Sequence, residues 1–459
     1  MSWVFAGVLA YLLVQFAIGV FVSRKVASQS DYYLAGRRLG PVLAGSSMFA
    51  TWFGAESCVG AAGHVYESGF DRMTVEPFAY GACLLLLGVF FAIPLWKSGA
   101  TTLADLFAQR YSGSVSRIAA VLLIPTSILW AAAQIRAFGQ VLASASTLSV
   151  EWGMGIAALI VILYTGVGGL LADVVTDFVQ AICLLVGLAV VLFGVCTTVG
   201  GADRAWELAW VPRTAPSAAA SWTEVLEAWA IPICGSVVAQ EAVSRSLACR
   251  APSVARGAAL SGGILYLFAG SIPVFLGLVG AHAIPGLDSG QILPRLAQEH
   301  LGTFGFILFS GALISAILST VDSTLLVSSS LIARNLLFTS GEPSDAKKGL
   351  LVARAGVVGS GAAAWGLAHY SEGVSDLVEQ ASGFGSAGIL VLVAFGLFSQ
   401  FGGPLAALAS LTVGSALWGW GRYFGGETSH PYLWSLAGAF GAFVLAGLLE
   451  RRQPRAVGT

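Results

Sequence analysis

Apolar stretches of about twenty residues, separated by short polar connections, recur along the whole chain. A stretch of that length is what an α-helix needs to cross the hydrocarbon core of a bilayer. The pattern therefore predicts an all-α polytopic membrane protein with about thirteen transmembrane helices. The predicted spans cover residues 3–22, 42–66, 75–95, 115–145, 154–171, 174–198, 225–240, 258–283, 304–333, 350–369, 374–399, 404–424 and 432–449.

Two of these spans are poorly made as helices. The second contains Gly54 and, in its middle, the carboxylate Glu56, and the seventh is short and interrupted by Pro232 and Gly235. A segment in lipid tolerates such breakers only where protein or a water-filled cavity satisfies the freed backbone groups. Transporters build their ion and substrate sites from helices interrupted in this way near the membrane midplane. We predict that the first of these breaks lies between Ala50 and Glu56.

The order of the spans suggests a single transmembrane transporter domain over residues 1–459 with an internal duplication. Two broken helices in corresponding positions predict inverted repeats with the binding site between them. Because glycine is common in membrane helices in any case, the alternative is that the two breaks coincide by accident. The predicted parts are a leading helix at 3–22, a first repeat at about 42–198, a second repeat at about 225–399 and extra helices at about 404–449.

The composition supports a membrane location. Of the 459 residues, 56% are hydrophobic and 10% are charged, and the mean hydropathy is +0.82, whereas soluble domains carry about a quarter charged residues. The net charge of -1 gives no reason to propose a nucleic-acid partner, and no obligatory protein partner is evident. The six cysteines lack the spacing of a zinc site or a disulfide framework, so we interpret them as small buried apolar side chains.

The distribution of basic residues predicts the orientation, because cytoplasmic loops carry the excess of Lys and Arg. With the N-terminus outside, seventeen of the 23 Lys and Arg residues fall on the inner side and five on the outer side, while Arg136 lies within a span. An odd number of spans then leaves the C-terminus in the cytoplasm. The predicted location is the cell membrane, with the lipid bilayer as the surrounding medium.

Ionisable residues inside spans are costly and indicate function by default. Asp177 follows a glycine-rich connection in YTGVGGLLADVVTDFVQ, and a structural helix cap is its alternative role. Asp322 stands beside a stripe of hydroxyls formed by Ser315, Ser319 and Ser323 on one helix face. Such oxygens suit a hard monovalent cation, although serines in membrane helices also pack at small-residue interfaces or bond to their own backbone.

At these motifs the chain resembles the sodium:solute symporter family, and the resemblance covers nearly the whole sequence. It is carried by DYYLAGRRLGP (31–41), TTLADLFAQRY (101–111), YTGVGGL with TDFVQ (164–180) and STVDSTLLVSSSLIARN (319–335). The resemblance implies the inverted five-plus-five fold of the leucine-transporter type. It also implies sodium-driven, inward uptake of a small organic solute by alternating access.

The resemblance further implies where sodium binds. One ion would lie between the first broken helix and span 304–333, and in some members a second ion would be held by an aspartate with hydroxyls beyond the first site. Because those members have serine where this chain has Asp322, the second site would be either a stronger cation site or one that takes up a proton. The implied ligands of the first site are the carbonyls of Ala50, Phe53 and Ala316 with the hydroxyls of Ser319 and Thr320, and those of the second are Asp177, Asp322 and Ser323.

Within the family, the nearest resemblance is to the high-affinity choline transporter branch, in which aromatic side chains surround a quaternary ammonium. Trp52 and Trp130 match two such aromatics, with ordinary packing as their alternative role. The segment IPICGS (231–236) has no tryptophan where that branch carries one. A complete choline cage is therefore not predicted.

Glu56 and Arg136 replace uncharged residues of that branch on the two helices expected to line the cavity. Either they pair with each other, or a zwitterion separates them, with its carboxylate on the Arg fork and its ammonium on Glu56. The second reading favours an amino acid or a betaine-like solute over choline. The remaining alternatives are a proton-coupled symporter of the same fold and a transporter-like membrane sensor. An enzyme is not predicted, because no HExxH or recognisable triad is present.

Overall fold

The computed structural model describes residues 3–23, 28–54, 56–145, 148–211, 220–337, 346–371, 374–426 and 430–452. Within these ranges the regular structure is helical, and the only bridge of β type is an isolated parallel one between Leu39 and Cys249. The prediction of an all-α protein is confirmed. Short π-helical or 3₁₀ turns lie at Ala35–Arg37, Glu56–Gly60, Leu87–Phe91, Ile231–Gly235, Ser289–Gln291 and Leu331–Leu337.

Twenty α-helices follow one another in the described residues. The helices of the first half are α1 (Trp3–Ser23), α2 (Gln29–Leu34), α3 (Pro41–Ala50), α4 (Ala61–Ser68), α5 (Phe78–Leu86), α6 (Ala92–Ser98), α7 (Leu103–Arg110), α8 (Gly113–Ala145), α9 (Val150–Thr198) and α10 (Ala202–Ala209). Those of the second half are α11 (Trp222–Ala230), α12 (Gln240–Ala248), α13 (Pro252–Ala283), α14 (Ile292–His300), α15 (Gly302–Ser330), α16 (Ala346–Tyr370), α17 (Val374–Gly383), α18 (Ser386–Phe398), α19 (Pro404–Phe424) and α20 (Pro431–Arg452).

Eight helical stretches of the described chain are long and apolar enough to cross a membrane, and each coincides with a predicted span. Shorter apolar helices lie in three further predicted spans. This count does not confirm the predicted number of thirteen. The eight are Phe78–Ser98, Gly113–Ala143, Gly169–Thr198, Pro252–Ala283, Gly302–Leu337, Lys347–Tyr370, Leu377–Phe398 and Pro431–Arg451.

The first break lies where the sequence predicts it. Helix α3 ends at Ala50, and helical structure resumes with the π-helical turn at Glu56. In a continuous α-helix the Gly54 amide would donate to the carbonyl of Ala50, but here it donates to the carbonyl of Trp52 at 3.0 Å. The break therefore removes the usual partner from the carbonyl at the end of α3.

The second break is also confirmed. Helix α11 ends at Ala230, and after the turn at Ile231–Gly235 helix α12 begins at Gln240. Helix α12 runs to Ala248, eight residues beyond the predicted end of that span, and all but one of its residues are buried. Its polar sequence QEAVSRSLA conceals this burial from a search for apolar stretches.

Two glycines with positive φ mark boundaries between helical segments. The spans predicted at 154–171 and 174–198 both lie in α9, which bends sharply between them at Gly169, where φ is +64° and ψ is -175°, so that Val150–Gly166 and Gly169–Thr198 are separate apolar stretches. A Cβ at Gly169 would lie 2.8 Å from the ring of Tyr32. The positive φ and this close approach therefore both require glycine. The span predicted at 374–399 is instead two helices, α17 and α18, separated at Gly385, where φ is +70°.

Helix α15 forms the centre of the molecule. Its side chains are buried almost without interruption from Phe309 to Ser330. It packs against α1, α8, α9 and α16, while α13 packs against α3 and α4 on either side of the first break. The hydroxyl stripe of α15 therefore faces protein on all sides, and its polar atoms must find partners there.

Candidate functional site

Helix α15 is tied to the first break by Thr320. The Thr320 hydroxyl donates to the carbonyl of Thr51 at 3.0 Å and to that of Ala316 at 3.3 Å. Ala50 and Phe53, the two other predicted carbonyl ligands, lie on the same broken segment, and both are buried. The structure thus brings the hydroxyl of α15 and the carbonyl-rich break into direct contact.

The neighbouring face of α15 meets the carboxylates of α9. Ser319 donates to Asp177 and, at 3.2 Å, to Asp173. Ser323 donates to Asp173 at 3.0 Å. These two hydroxyls stand one helical turn apart, as do the two aspartates, so the two helices present matched rows of polar atoms.

Arg245 of α12 lies in the middle of this polar cluster and is 1% exposed. Its Nη2 donates to Asp173 at 2.8 Å, to Asp177 at 3.3 Å and to Ser323 at 2.7 Å. Its Nε donates to the hydroxyl of Ser47 at 2.7 Å. A guanidinium with this many acceptors provides the charge and the hydrogen bonds that two buried carboxylates require.

Ser47 completes the cluster from the α3 side. Its hydroxyl, which accepts from Arg245, donates to Asp177 at 2.5 Å. Four helices, two of them belonging to broken pairs, thus share one hydrogen-bond network. We call this set the arginine cluster; its residues are Ser47, Asp173, Asp177, Arg245, Ser319 and Ser323.

Asp322 lies outside the arginine cluster. It accepts a hydrogen bond from the Thr165 hydroxyl, and the Thr165 carbonyl in turn accepts from Tyr32 at 2.7 Å. Asp322 also lines a small cavity with Tyr164 and Gln180. The three implied ligands of a second sodium are therefore divided, with Asp177 and Ser323 in the arginine cluster and Asp322 facing α9 at Thr165.

A group of aromatic side chains lies beside the first break. The ring of Tyr80 on α5 lies 5.7 Å from that of Trp52, 6.3 Å from that of Trp130 and 6.4 Å from that of Tyr266, measured between ring centroids. All four side chains are buried. The other three rings thus each pack against Tyr80, and together they form an aromatic surface of the kind that can attract a cation.

Glu76, which directly precedes α5, reaches this aromatic group. Its Oε1 accepts from Ser57 and from Tyr266, the latter at 2.9 Å. The hydroxyls of Ser57 and Tyr266 also each lie 3.3 Å from the carbonyl of Trp52 in the break. The second oxygen of Glu76, Oε2, is buried and has no hydrogen-bond partner.

Glu56 lies close enough to Glu76 for their charges to interact, and both carboxylates act electrostatically on Tyr80. We call the set Trp52, Glu56, Glu76, Tyr80, Trp130 and Tyr266 the acidic chamber. No ion pair of Glu56 or Glu76 occurs in the described part of the chain.

Arg136 does not approach Glu56. Its Nη1 donates to the carbonyl of Ala368 on α16 at 2.8 Å, and its Nε is buried without a hydrogen-bond partner. Of the two arrangements left open by the sequence, the direct pair is therefore not formed in this structure. Arg136 on α8 is bound to α16, whereas the charge of Glu56 interacts with that of Glu76.

Trp130 also borders a second cavity, at the other broken helix. That cavity is lined by Ser236 and by Glu241, whose Oε1 accepts from Ser127 at 2.9 Å. Trp130 thus separates the acidic chamber from a polar space beside α12.

Several polar residues of the two sets are absent from the sequence prediction. Asp173 could have been found, because it precedes Asp177 by one helical turn within the same motif. Arg245 and Glu76 carry no local signal, since each lies at the end of an apolar span, where charged residues are ordinary. The residues added by the structure are Ser47, Glu76, Tyr80, Asp173, Arg245 and Tyr266.

The described geometry can be compared with known proteins. The model of the sodium:solute symporter family matches residues 32–414. The high-affinity choline transporter of Torpedo marmorata is 27% identical, with 93% of this chain and 76% of the relative covered. The human protein of that name is 28% identical over 87% of this chain and 71% of its own length. The sodium/pantothenate symporter of Escherichia coli is 27% identical over 71% of each chain.

Solved structures show the same fold. A Na⁺-coupled sialic acid symporter in its substrate-bound, outward-open state superposes with a TM-score of 0.81 at 17% identity, covering 98% of both chains. A nucleobase-cation-symport-1 family transporter in a closed conformation superposes with a TM-score of 0.61 at 15% identity, covering 91% of this chain and 93% of its own.

Proposed function

We propose a coupling mechanism for this chain, which belongs to the sodium:solute symporter family and is a sodium-coupled symporter of a small organic solute in the membrane. Its relatives are transporters and not enzymes. The chain imports its solute by alternating access, with the N-terminus outside and the C-terminus in the cytoplasm. The bias of Lys and Arg toward one side of the predicted spans supports this orientation.

The proposed architecture is an inverted repeat of five plus five helices in a single domain. The first repeat opens with the broken pair α3 and α4, and the second opens with the broken pair α11 and α12. Helix α1 precedes the repeats, and α19 and α20 follow them. The similarity in fold to two cation symporters supports this arrangement.

Sodium binds between the first break and α15. Its ligands are the carbonyls of Ala50, Phe53 and Ala316 and the hydroxyls of Ser319 and Thr320. The observation that carries this assignment is the contact of the Thr320 hydroxyl with the Thr51 carbonyl at 3.0 Å, because it joins the hydroxyl face of α15 to a backbone that lacks helical partners. An ion entering here would replace the hydrogen bond of Thr320 to the Thr51 carbonyl by direct coordination and would add an oxygen of Ser319 as a ligand.

The second proposed cation position overlaps with Arg245, which contacts two of the three implied ligands. A sodium ion at Asp177, Asp322 and Ser323 has to compete with a guanidinium that already contacts Asp177 and Ser323. Sodium binding there would loosen α12 from α9. This competition links ion binding to movement of the second broken helix, which is the element that alternating access has to move.

The solute lies beside Trp52 and Trp130, and it is a small organic compound with a cationic nitrogen, such as an amino acid, a betaine-like or a choline-like solute. The aromatic rings around Tyr80 support a cationic group. The high-affinity choline transporters among the relatives support the same conclusion. Glu56 lies at the end of the first break, whereas Arg136 donates to the Ala368 carbonyl. Arg136 therefore contributes to the solute site only if it leaves that carbonyl.

The first prediction tests the sodium ligands. Full-length protein in proteoliposomes should accumulate labelled solute from an amine panel only with an inward sodium gradient. The double variant Ser319→Ala with Thr320→Ala should raise the sodium concentration for half-maximal uptake about ten-fold or more, because each lost bond to a charge is worth about 1.5–3 kcal/mol.

The matched control is Ser328→Ala with Ser330→Ala. These hydroxyls lie on the same helix but donate only to carbonyls of their own helix, at 2.9 Å each. Wild-type sodium activation in the Ser319/Thr320 variant would overturn the site. Uptake driven by a proton gradient alone would show that the coupling ion is the proton and not sodium. Solute binding without any accumulation would show that the protein is a sensor.

A further inference from the structure

The acidic chamber holds two carboxylates that form no ion pair within the described residues. Glu76 is held in place by two hydroxyl donors on Oε1, while its Oε2 atom is buried and accepts nothing. Glu56, which is half-buried, adds a second carboxylate whose charge interacts with that of Glu76. Two neighbouring carboxylates without a counter-charge cannot both ionise without cost, so both gain from the entry of a positive group.

An independent acceptor points into the same region from α8. The Gln134 side chain is 3% exposed, and its Oε1 has no hydrogen-bond partner. This oxygen lies 3.8 Å from the position that a Cβ on Gly54 would take, so it faces the open turn of the break. Gln134 follows Trp130 by one helical turn and shares its face of α8. The first break therefore has a second unpartnered acceptor beside it, in addition to Glu76 Oε2.

The chemistry of the acceptors discriminates between kinds of cation. A quaternary ammonium satisfies aromatic faces but has no N–H to donate. The Oε2 of Glu76 and the Oε1 of Gln134 would stay without donors around it, and a buried acceptor without a donor is penalised. A primary, secondary or tertiary ammonium, or a guanidinium, satisfies the rings and the acceptors together.

Within the described residues, the acidic chamber has no cationic side chain to bind a carboxylate, so the solute does not need one. No Lys, Arg or His pairs with Glu56 or Glu76 in the described part of the chain, and Arg136 is bound to the Ala368 carbonyl. A solute carboxylate in the chamber would meet two like charges. Such juxtaposition costs binding energy instead of adding to it.

We propose that the acidic chamber binds an organic cation that carries at least one N–H donor, with Glu76 Oε2 as its acceptor, Glu56 as the second negative charge and the rings of Trp52, Tyr80 and Trp130 around it. This assignment rests on the proposed function and narrows its solute class. It selects amines over quaternary ammonium compounds.

The test uses two probes that differ by one N–H. Dimethylethanolamine is a tertiary ammonium at neutral pH, and choline is its quaternary counterpart. Binding of each to the purified full-length protein is measured by calorimetry with and without sodium. Dimethylethanolamine should bind about ten-fold or more tightly than choline, since one hydrogen bond to a charged acceptor distinguishes them. 3,3-Dimethylbutanol, the neutral isostere of choline, should bind at least as weakly as choline.

Glu76→Gln should remove most of this preference, while Glu67→Gln should preserve it. Glu67 lies exposed on α4, close in sequence to the same break, and controls for the change of net charge. Dimethylglycine, which adds a carboxylate to the same tertiary ammonium, should bind more weakly than dimethylethanolamine. Equal or tighter binding of choline, an unchanged preference in Glu76→Gln, or tighter binding of dimethylglycine would each overturn the proposal.

A separate readout keeps the two proposals distinguishable. Sodium should raise the melting temperature of the wild type and of Glu76→Gln without any amine present. If sodium stabilises neither protein while the amine preference holds, the sodium site is wrong and the amine site stands. If sodium stabilises both and the preference is absent, the sodium site stands and the amine site is overturned.

Discussion

Two sets of carboxylates, both next to the first break, are treated differently by the fold. In the arginine cluster, Asp173 and Asp177 are buried, share one guanidinium and accept hydrogen bonds from three serine hydroxyls on two helices. In the acidic chamber, Glu76 has hydroxyl donors on one oxygen only, and neither it nor Glu56 forms an ion pair within the described residues. Arg245 thus provides the counter-charge of the first set, whereas no cationic side chain of the described residues pairs with the second.

The difference separates charges held for the fold from charges held for a ligand. A carboxylate whose hydrogen bonds are all supplied by the protein is already stabilised, and a ligand gains little by joining it. A carboxylate that is oriented but incompletely paired gains most when a ligand completes it. The arginine cluster can still serve transport, but only by exchanging one cation for another.

The largest effect should follow the loss of the internal cation. Arg245→Gln leaves two buried aspartates without a counter-charge and should lower the free energy of unfolding by about 3–5 kcal/mol. Thermal and denaturant unfolding in detergent measure the loss. Arg250→Gln, an exposed site two residues beyond α12, is the control. The double variant of Arg245→Gln with Asp173→Asn should recover part of the stability. If Arg245→Gln alone is as stable as Arg250→Gln, then Arg245 is not needed to stabilise the two aspartates, and the two sets do not differ in this respect.

The next prediction is that neutralising one carboxylate of each set changes the stability of the protein in opposite directions. Asp173→Asn should destabilise the protein by about 1.5–3 kcal/mol, since it removes a charged acceptor from Arg245. Glu76→Gln should stabilise the solute-free protein by about 1 kcal/mol, because it removes an unpaired buried charge while Oε1 still accepts from Ser57 and Tyr266. Unfolding measured on both variants in parallel decides the matter. Loss of stability in both would mean that the chamber, too, is structurally satisfied.

The smallest effect should come from Arg136. Its one hydrogen bond goes to the carbonyl of Ala368, so Arg136→Gln should cost about 1 kcal/mol of stability and leave the preference for N–H cations unchanged. Unfolding and probe binding on the same preparation measure both quantities. Arg136→Lys, which keeps the charge, provides the comparison. A lost amine preference in the glutamine variant would return Arg136 to the solute site.

The sequence alone determined the class of the protein and the location of its flaws. Lengths of apolar residues identified the membrane spans, and glycine, proline and an isolated carboxylate located both breaks, because these signals act within a few residues of themselves. The hydroxyl stripe of Ser319 and Ser323 was readable for the same reason: a helix repeats every 3.6 residues. The motif match added the family and a prediction of the sodium ligands around Thr320.

Only the tertiary structure decided which charges meet. Arg245 lies 72 residues from Asp173 in sequence and 78 from Ser323, and no local pattern pairs them. The sequence offered Arg136 as the partner of Glu56, yet Arg136 donates to a backbone carbonyl 232 residues away, and the charged group whose field acts on Glu56 is a second carboxylate, Glu76. The separation of α17 from α18, with φ of +70° at Gly385, was likewise not predicted from the sequence. Pairing across a fold depends on how helices cross, and hydropathy carries no information about that.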